Sequence, residues 1–514
     1  MSKTIIIIGA GLAGLSAALQ AAENGCNVKL VSSLPSERAQ SVMAEGGINA
    51  ALNTKDENDS PEEHFTDTIK AACGLADPNA VWGMTQAAPE LVHWLLKLGV
   101  KFNMSGYDDV DLRNFGGQKK KRTAFAQSDT GKQIMTAMID AVRRKEASGM
   151  VERFSHHSFL TLRLCGNICC GCVIRDEYSQ ETVELPGDAV IVATGGMHGL
   201  FGNTTGSLGE TGAVTGELFR LGAPLANGEM IQYHPTTVKC GGKRMLISEA
   251  ARGEGGRLFA MKDGKQWYFM EEKYPELGNL MPRDITAREI WKVSHESEVF
   301  LDMTEISEEI ISNKLSGLAD DCMTYLHKDI RKEPVSVLPG IHYFMGGILV
   351  DEQHRTPIQN LYAAGECCAQ YHGANRLGGN SLLGALYGGR VAAKSACEQA
   401  DVVDLSCATQ IDFPPASQIS EIKQLNKVMQ ETMGVVRNEN TLLNGIQTVQ
   451  ALTGNLPLLG MAVLKSALAR KESRGAHWRE DYPKSNDDDY LKTTVARFDG
   501  KQIQISFVPV PERR

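Results

Sequence analysis

Ile5-Ile6-Ile7-Ile8-Gly9-Ala10-Gly11-Leu12-Ala13-Gly14, followed from Cys26 to Val31 by a second apolar run, is the stretch that decides the fold. Four consecutive isoleucines read as a strand buried on both faces. The alanine- and leucine-rich residues after Gly14 carry helical spacing, so the order is strand, glycine turn, helix, strand. In such a βαβ unit the first glycine permits a tight turn and the second lets the backbone approach a pyrophosphate. The third lets helix and strand pack closely, with the phosphate charge at the helix N-terminus. Because the G-x-G-x-x-G turn directly follows the first strand, it predicts a dinucleotide site rather than a merely structural turn. An NAD site asks for an acidic residue at the end of the second strand; Ser32-Ser33 stand there, so NAD is not supported.

Working outward, Ala189-Val190-Ile191-Val192-Ala193 ends in Thr194-Gly195-Gly196, and Leu361-Tyr362-Ala363-Ala364 ends in Gly365-Glu366. Both read as late strands of the same sheet, which makes the nucleotide domain discontinuous, over 1–227 and 341–407. Residues 228–340, richer in methionine, charge and short helices, read as an inserted capping domain. Pro414-Pro415 mark a break, 408–480 read as a helical domain, and 481–514 as a tail with a hairpin about Gly500, its strands Thr493 to Phe498 and Gln502 to Phe507. The expected class is α/β: a Rossmann-like dinucleotide domain, an inserted α+β capping domain and a C-terminal helical domain.

The chain's 514 residues allow about three domains. Its 53 Lys+Arg against 62 Asp+Glu give a net charge of −9, which argues against nucleic acid as a partner. Hydrophobic residues at 42% and a mean hydropathy of −0.22 fit a soluble globular protein. Glycine, at 51 residues, exceeds the usual share of about 7% and fits a chain rich in tight turns and close ligand approaches. Twelve cysteines in so long a chain, with no evident secretory signal, read as reduced thiols in a cytoplasm. Thr4 to Ala22 carries no charge, yet Gly9, Gly11, Gly14, Ser16 and Gln20 interrupt it and no strongly basic leader precedes it, so neither a signal peptide nor a membrane span is expected.

The chemistry concentrates in glycine-rich segments that carry ionisable groups: Gln232-Tyr233-His234-Pro235-Thr236, Ser248-Glu249-Ala250-Ala251-Arg252-Gly253 and His372-Gly373-Ala374-Asn375-Arg376. Pro282-Arg283-Asp284 and His342-Tyr343-Phe344 join them. Two arginines, two histidines and a hydroxyl converging on one pocket suit a small dianion, because guanidinium forks bind carboxylates bidentately. With these segments, the glycine turn and Ala469-Arg470-Lys471-Glu472-Ser473-Arg474-Gly475-Ala476-His477, the chain resembles, nearly end to end, the flavoprotein subunit of the fumarate reductase and succinate dehydrogenase family, whose sister is L-aspartate oxidase.

The resemblance implies an FAD lying between the nucleotide domain and the capping domain, with substrate held against the flavin, and a fumarate/succinate interconversion by hydride transfer at flavin N5. It implies that His234, Ser248, His342 and Arg376 hold the carboxylates of a C4 dicarboxylate. Arg283 would donate the proton, with Glu249 and Arg252 as its relay and the cationic groups, His234 among them, polarising the substrate. Gly9, Ala10, Gly11, Leu12, Ala13 and Gly14 would hold the FAD pyrophosphate and Glu366 a ribose or ribityl hydroxyl. Asn380, Ser381 and Leu382 would meet the isoalloxazine at a helix start. Further cofactor contacts are expected from Ser32, Ser33, Gln40, Ser41, Ala44, Glu45, Gly46, Gly47, Ala193, Thr194 and Gly195. An iron–sulfur electron-transfer subunit is the implied partner. Any membrane association is indirect, at the inner face through partner subunits.

The departures are informative. Many members tether FAD covalently through a histidine in Arg-Ser-His-Thr-Val, where this chain reads Arg38-Ala39-Gln40-Ser41-Val42. An amide lacks the nucleophilic imidazole nitrogen, so the FAD is expected to be non-covalent, with a lowered potential that favours fumarate reduction. The family's Thr-Gly-Asp-Gly is altered to Thr211-Gly212-Ala213-Val214. In Asn114-Phe115-Gly116-Gly117-Gln118, Phe115 stands where the amino-acid oxidase type has a carboxylate for the substrate ammonium. An unaminated dicarboxylate, met by Phe115 and Gln118, is therefore preferred over aspartate. The short inserted domain keeps reduction of another 2-enoate as an alternative beside L-aspartate oxidase. Cys165, Cys169, Cys170 and Cys172 lack paired metal-ligand spacing, so no metal is expected.

Overall fold

The isoleucine run is a strand of the central sheet in the computed structural model, which describes residues 2–106, 109–401, 411, 413 and 419–514. The strands that frame the site are β1 (Thr4–Ile8), β2 (Asn27–Ser32), β3 (Val151–Ser155), β4 (Ala189–Val192), β5 (Ile231–Cys240), β6 (Leu338–Phe344) and β7 (Leu361–Ala363). Ile5, Ile6 and Ile7 are completely buried because β1 is the middle strand of an all-parallel sheet ordered β7-β4-β1-β2-β3, with both faces covered. Strands β4 and β7, far apart in sequence, lie side by side, Val190 opposite Leu361.

Four helices position functional groups: α1 (Leu12–Glu23), α2 (Glu249–Gly253), α3 (Arg283–Val293) and α4 (Asn380–Gln399). The stretch once open to a membrane reading is β1 plus α1. Among the described residues no helix is long and apolar enough to cross a membrane. Helix α1 packs against α4 over a small-residue seam, where a Cβ on Gly389 would lie 2.3 Å from the Ala13 carbonyl oxygen. Two separated glycine-rich segments of the sequence thereby meet above the sheet.

The 228–340 stretch contributes two antiparallel units. Strand β5 pairs with β6 on one edge and with residues 243–246 on the other, and a four-stranded sheet of residues 257–262, 265–267, 299–302 and 335–336 has its own apolar core. Helices Ile419–Thr432, Glu439–Val449 and Asn455–Ala469 form the helical region. The boundary expected at 407/408 and the Pro414-Pro415 break lie outside the described residues. The terminal hairpin runs Lys492–Phe498 against Ile503–Pro509, and its first strand also pairs with Leu225–Ala226, joining it to the body. The 157–165 and 168–176 strands place Cys169 and Cys172 in an apolar core, where burial pushes the Cys169 thiol up to about 12. Ten cysteines are free among the described residues. Cys165 is disulfide-bonded, a correction to the expectation of reduced thiols throughout.

Candidate active site

A cavity of about 750 Å³ runs from the glycine turn to the arginine segments, so the two parts of the sequence reading share one space. At one end its wall is made by Gly9 to Ala13, Ser32 and Ser33, then by Gln40, Ser41 and the 44–47 segment. Ala193 to Gly195, Glu366, Ser381 and Leu382 complete that end. Gly14 stands behind the wall: a Cβ there would fall 1.9 Å from the Gly9 carbonyl oxygen, which makes it the packing glycine of the turn. Gly9 has φ +110°, and a Cβ on it would lie 2.2 Å from the Ala193 oxygen. Asn380 also lies behind the wall, its Oδ1 accepting from Asn49 Nδ2 at 2.7 Å and facing His64 Nε2 at 2.9 Å.

Helix α1 opens at Gly11, which has no side chain to cap it, and of its first N–H groups that of Leu12 reaches Ser41 Oγ at 3.3 Å; Ser32 Oγ at the end of β2 is buried without a partner. Free N–H groups at a helix N-terminus suit a pyrophosphate, and an unpaired hydroxyl suits a ribose. These residues fit a flavin dinucleotide. Gln40 lies on the same wall and places an amide, not an imidazole, beside the cavity.

At the other end the capping segments bring the predicted cations together. Arg283, at the first position of α3, donates from Nε and Nη2 to Glu249 Oε2 at 2.8 and 2.6 Å, and from Nη1 to Gln232 Oε1 at 3.1 Å. Glu249, at the start of α2, accepts on its other oxygen from the Gly116 N–H at 3.1 Å, with Arg252 Nη2 3.4 Å away. Burial opposes the charge on Glu249, but Arg283 and Arg252 outweigh it and hold its pKa below the usual carboxylate value. Ser248 caps α2, its Oγ accepting from the Ala250 N–H at 3.4 Å. His234 and His342 meet edge to face at 5.1 Å, and burial together with Arg283 pushes both pKa values well down, so both rings are neutral. Arg376 lies over the Tyr343 ring at 4.3 Å with its Nε unpartnered, and burial next to Arg283 lowers its pKa to about 9.

Phe115, His234, Ser248, Glu249, Arg283, His342 and Arg376 line the cavity. Arg252 and Gln118 sit behind it. Gln118 Nε2 donates to Asn49 Oδ1 at 3.0 Å and to the Gly378 carbonyl at 2.8 Å, bracing the loop that carries Arg376. Three contributors escaped the sequence reading. Gln232 bridges Arg283 to the Arg376 carbonyl, Tyr343 underlies Arg376, and Thr205 holds His342 Nδ1 at 2.8 Å. Gln232 and Tyr343 occupy the segments already singled out, but nothing in their spacing assigns those contacts.

A family model described as FAD binding domain matches residues 4–382, and one described as fumarate reductase flavoprotein C-term matches 452–513. The chain is 38% identical to the succinate dehydrogenase flavoprotein subunit of Bacillus subtilis, covering 100% of this chain and 98% of that one. It is 32% identical to the 8-methylmenaquinol:fumarate reductase flavoprotein subunit of Wolinella succinogenes, covering 100% and 92%. An E. coli quinol fumarate reductase structure superimposes with a TM-score of 0.90 at 27% identity, over 99% of this chain and 97% of that one. With a dinucleotide cavity closed at its far end by buried cations, the chain belongs to the succinate dehydrogenase and fumarate reductase flavoprotein family and is an FAD-dependent oxidoreductase.

Proposed function

We propose that the chain interconverts fumarate and succinate in the far end of this cavity, in the manner of a fumarate reductase flavoprotein subunit. The observation that carries this reading is the charge of the site. Three buried guanidiniums, Arg252, Arg283 and Arg376, face one carboxylate, Glu249, while His234 and His342 are neutral. Two positive charges are left over, which matches a dicarboxylate dianion. Arg376, with its free Nε, takes one carboxylate as a fork; Ser248, His234 and His342 are placed to orient the other.

FAD, when bound, supplies or accepts two electrons at its N5 position. The chain's own part is charge and proton handling. Buried cations stand where negative charge grows on the substrate as its double bond is reduced, and they are already fixed before reaction. Arg283 donates the proton. Its Nε and Nη2 rest on Glu249, which passes the replacement proton inward, and Arg252 completes the relay on the outer oxygen of the same carboxylate. A guanidinium is a weak acid, so the donation depends on this immediate reprotonation.

Phe115, 1% exposed and packed beside Gly46 and Gly378, gives a substrate ammonium no partner, which favours an unaminated dicarboxylate over aspartate. Gln40 favours a dissociable FAD and, with the lower potential this brings, the direction of fumarate reduction. The electron partner is an iron–sulfur subunit, and membrane contact comes through partners at the inner face. Turnover with reduced viologen separates the readings. The account expects fumarate-dependent dye oxidation faster than matched succinate oxidation. Ammonia and peroxide release from aspartate with no fumarate turnover would replace it with L-aspartate oxidase, and activity confined to another 2-enoate would move the substrate.

A further inference from the structure

Glu210 and Glu366 line the cofactor end of the cavity, and His198 lies behind them, completely buried. The proton arrangement of His198 follows from its neighbours. Thr204 Oγ1 has one hydrogen, which goes to the Ile341 carbonyl at 2.9 Å, and the same oxygen accepts from the Gly206 N–H at 3.1 Å. His198 Nδ1, 2.6 Å from that oxygen, must therefore be the donor. In a neutral ring Nε2 would then be a bare lone pair. Yet Nε2 has no hydrogen-bond partner and points at two carboxylates, 3.5 Å from Glu366 Oε1 and 3.7 Å from Glu210 Oε2. A bare lone pair on a buried ring facing two carboxylate oxygens is repelled by them unless a positive charge stands between them.

We propose that His198 is a positioning residue of the cofactor cavity: as an imidazolium it holds Glu210 and Glu366 together and tightens FAD binding through them. The same two oxygens each also accept a backbone N–H, Glu366 Oε1 from Phe344 at 2.9 Å and Glu210 Oε2 from Gly196 at 3.3 Å. A fixed charge on His198 thus fixes both side chains at the wall. The groups facing the ring are Glu210 from the 201–212 loop, Glu366 from the 365–367 turn, the Phe344 ring at 5.0 Å and, beyond Thr205, His342. No lysine or arginine appears among the charges acting on it. Burial works against the proton on His198, but Glu366 and Glu210 outweigh it and hold its pKa above the usual imidazole value. Glu210 is pushed up to about 7 by burial, so the cluster sheds protons as pH rises from mildly acidic to mildly alkaline. FAD brings a pyrophosphate dianion nearby, so binding takes up a proton and weakens as pH rises.

The inference rests on the reading of dissociable FAD, and the test separates the two. The full chain, stripped of FAD, is titrated with FAD by fluorescence quenching from about pH 6 to 8.5, in wild type and in His198→Gln. One linked proton predicts an affinity that falls roughly tenfold for each unit separating its free and bound pKa values, and a shallower profile in His198→Gln, where Glu210 titrates without its partner. The second readout is independent of FAD release: NMR of histidine-labelled protein, with the His198 signal assigned by its loss in His198→Gln. It is expected to report an imidazolium at pH 7 and to titrate above the usual imidazole value. In Glu210→Gln the same signal moves down, which keeps the proposal falsifiable should His198→Gln fail to fold. Flavin that stays with acid-precipitated protein overturns only the dissociable reading. A neutral His198 at pH 7, an unchanged pH profile in His198→Gln, or a divalent ion bound one per chain and lost with His198 overturns the proposal.

Discussion

At the scale of single residues, environment decides role more than residue type does. Glu45 lines the cavity with an unpartnered Oε2; burial, reinforced by Asp321, raises its pKa from 4.5 to about 8. The folded chain therefore binds a proton at Glu45 that the unfolded chain releases, and stability falls as pH rises from about 4.5 toward 8. Urea unfolding at pH 6 and 8.5 is expected to show a smaller alkaline loss in Glu45→Gln than in wild type; equal losses would place a water or cation on that carboxyl. Arg283, Glu249 and Arg376 were legible in the sequence only as a set, because several ionisable segments rich in glycine recur along the chain, and their roles came from the resemblance. His198 and Gln232 were not, because what they touch lies far along the chain: Gln232 bonds residues 143 and 144 positions away.

At the scale of elements, the β1–turn–α1 unit was readable in full, since its signals are local: apolar run, glycine spacing, helical period. Gly14 shows why the turn tolerates so little. A methyl there would press on the backbone oxygen of Gly9, an atom fixed by β1 and α1 together. Gly14→Ala is expected to cost about 4 kcal/mol or more and to lower FAD retention, read as melting temperature and flavin content of the purified chain. The Arg470 to His477 motif, recognised only by resemblance, is a brace. Arg470 pairs with Glu229 and Glu472 at 2.7 Å each, and the Ala476 N–H donates to the Ala374 carbonyl at 2.9 Å, next to the Arg376 loop. Its sequence carries no period that says so, because the contacts that anchor it to the body, Glu229 and Ala374, come from distant segments.

At the scale of the whole molecule, the parallel sheet and the capping segments line one cavity whose two ends differ in chemistry: a glycine-opened helix N-terminus for phosphate, and surplus buried cations for a dianion. Gln40 at the wall predicts that acid precipitation leaves FAD in the supernatant; yellow, flavin-bearing precipitate would mean that another residue tethers it. The central claim is that Arg283 delivers the proton to fumarate within this one chain. It is tested most directly by reducing the bound flavin anaerobically with dithionite, adding fumarate and following the flavin absorbance. The account predicts rapid reoxidation in wild type and its loss in Arg283→Ala with FAD still bound. Reoxidation that survives in Arg283→Ala, or that never occurs with fumarate while aspartate drives oxygen consumption by the oxidised protein, would contradict it.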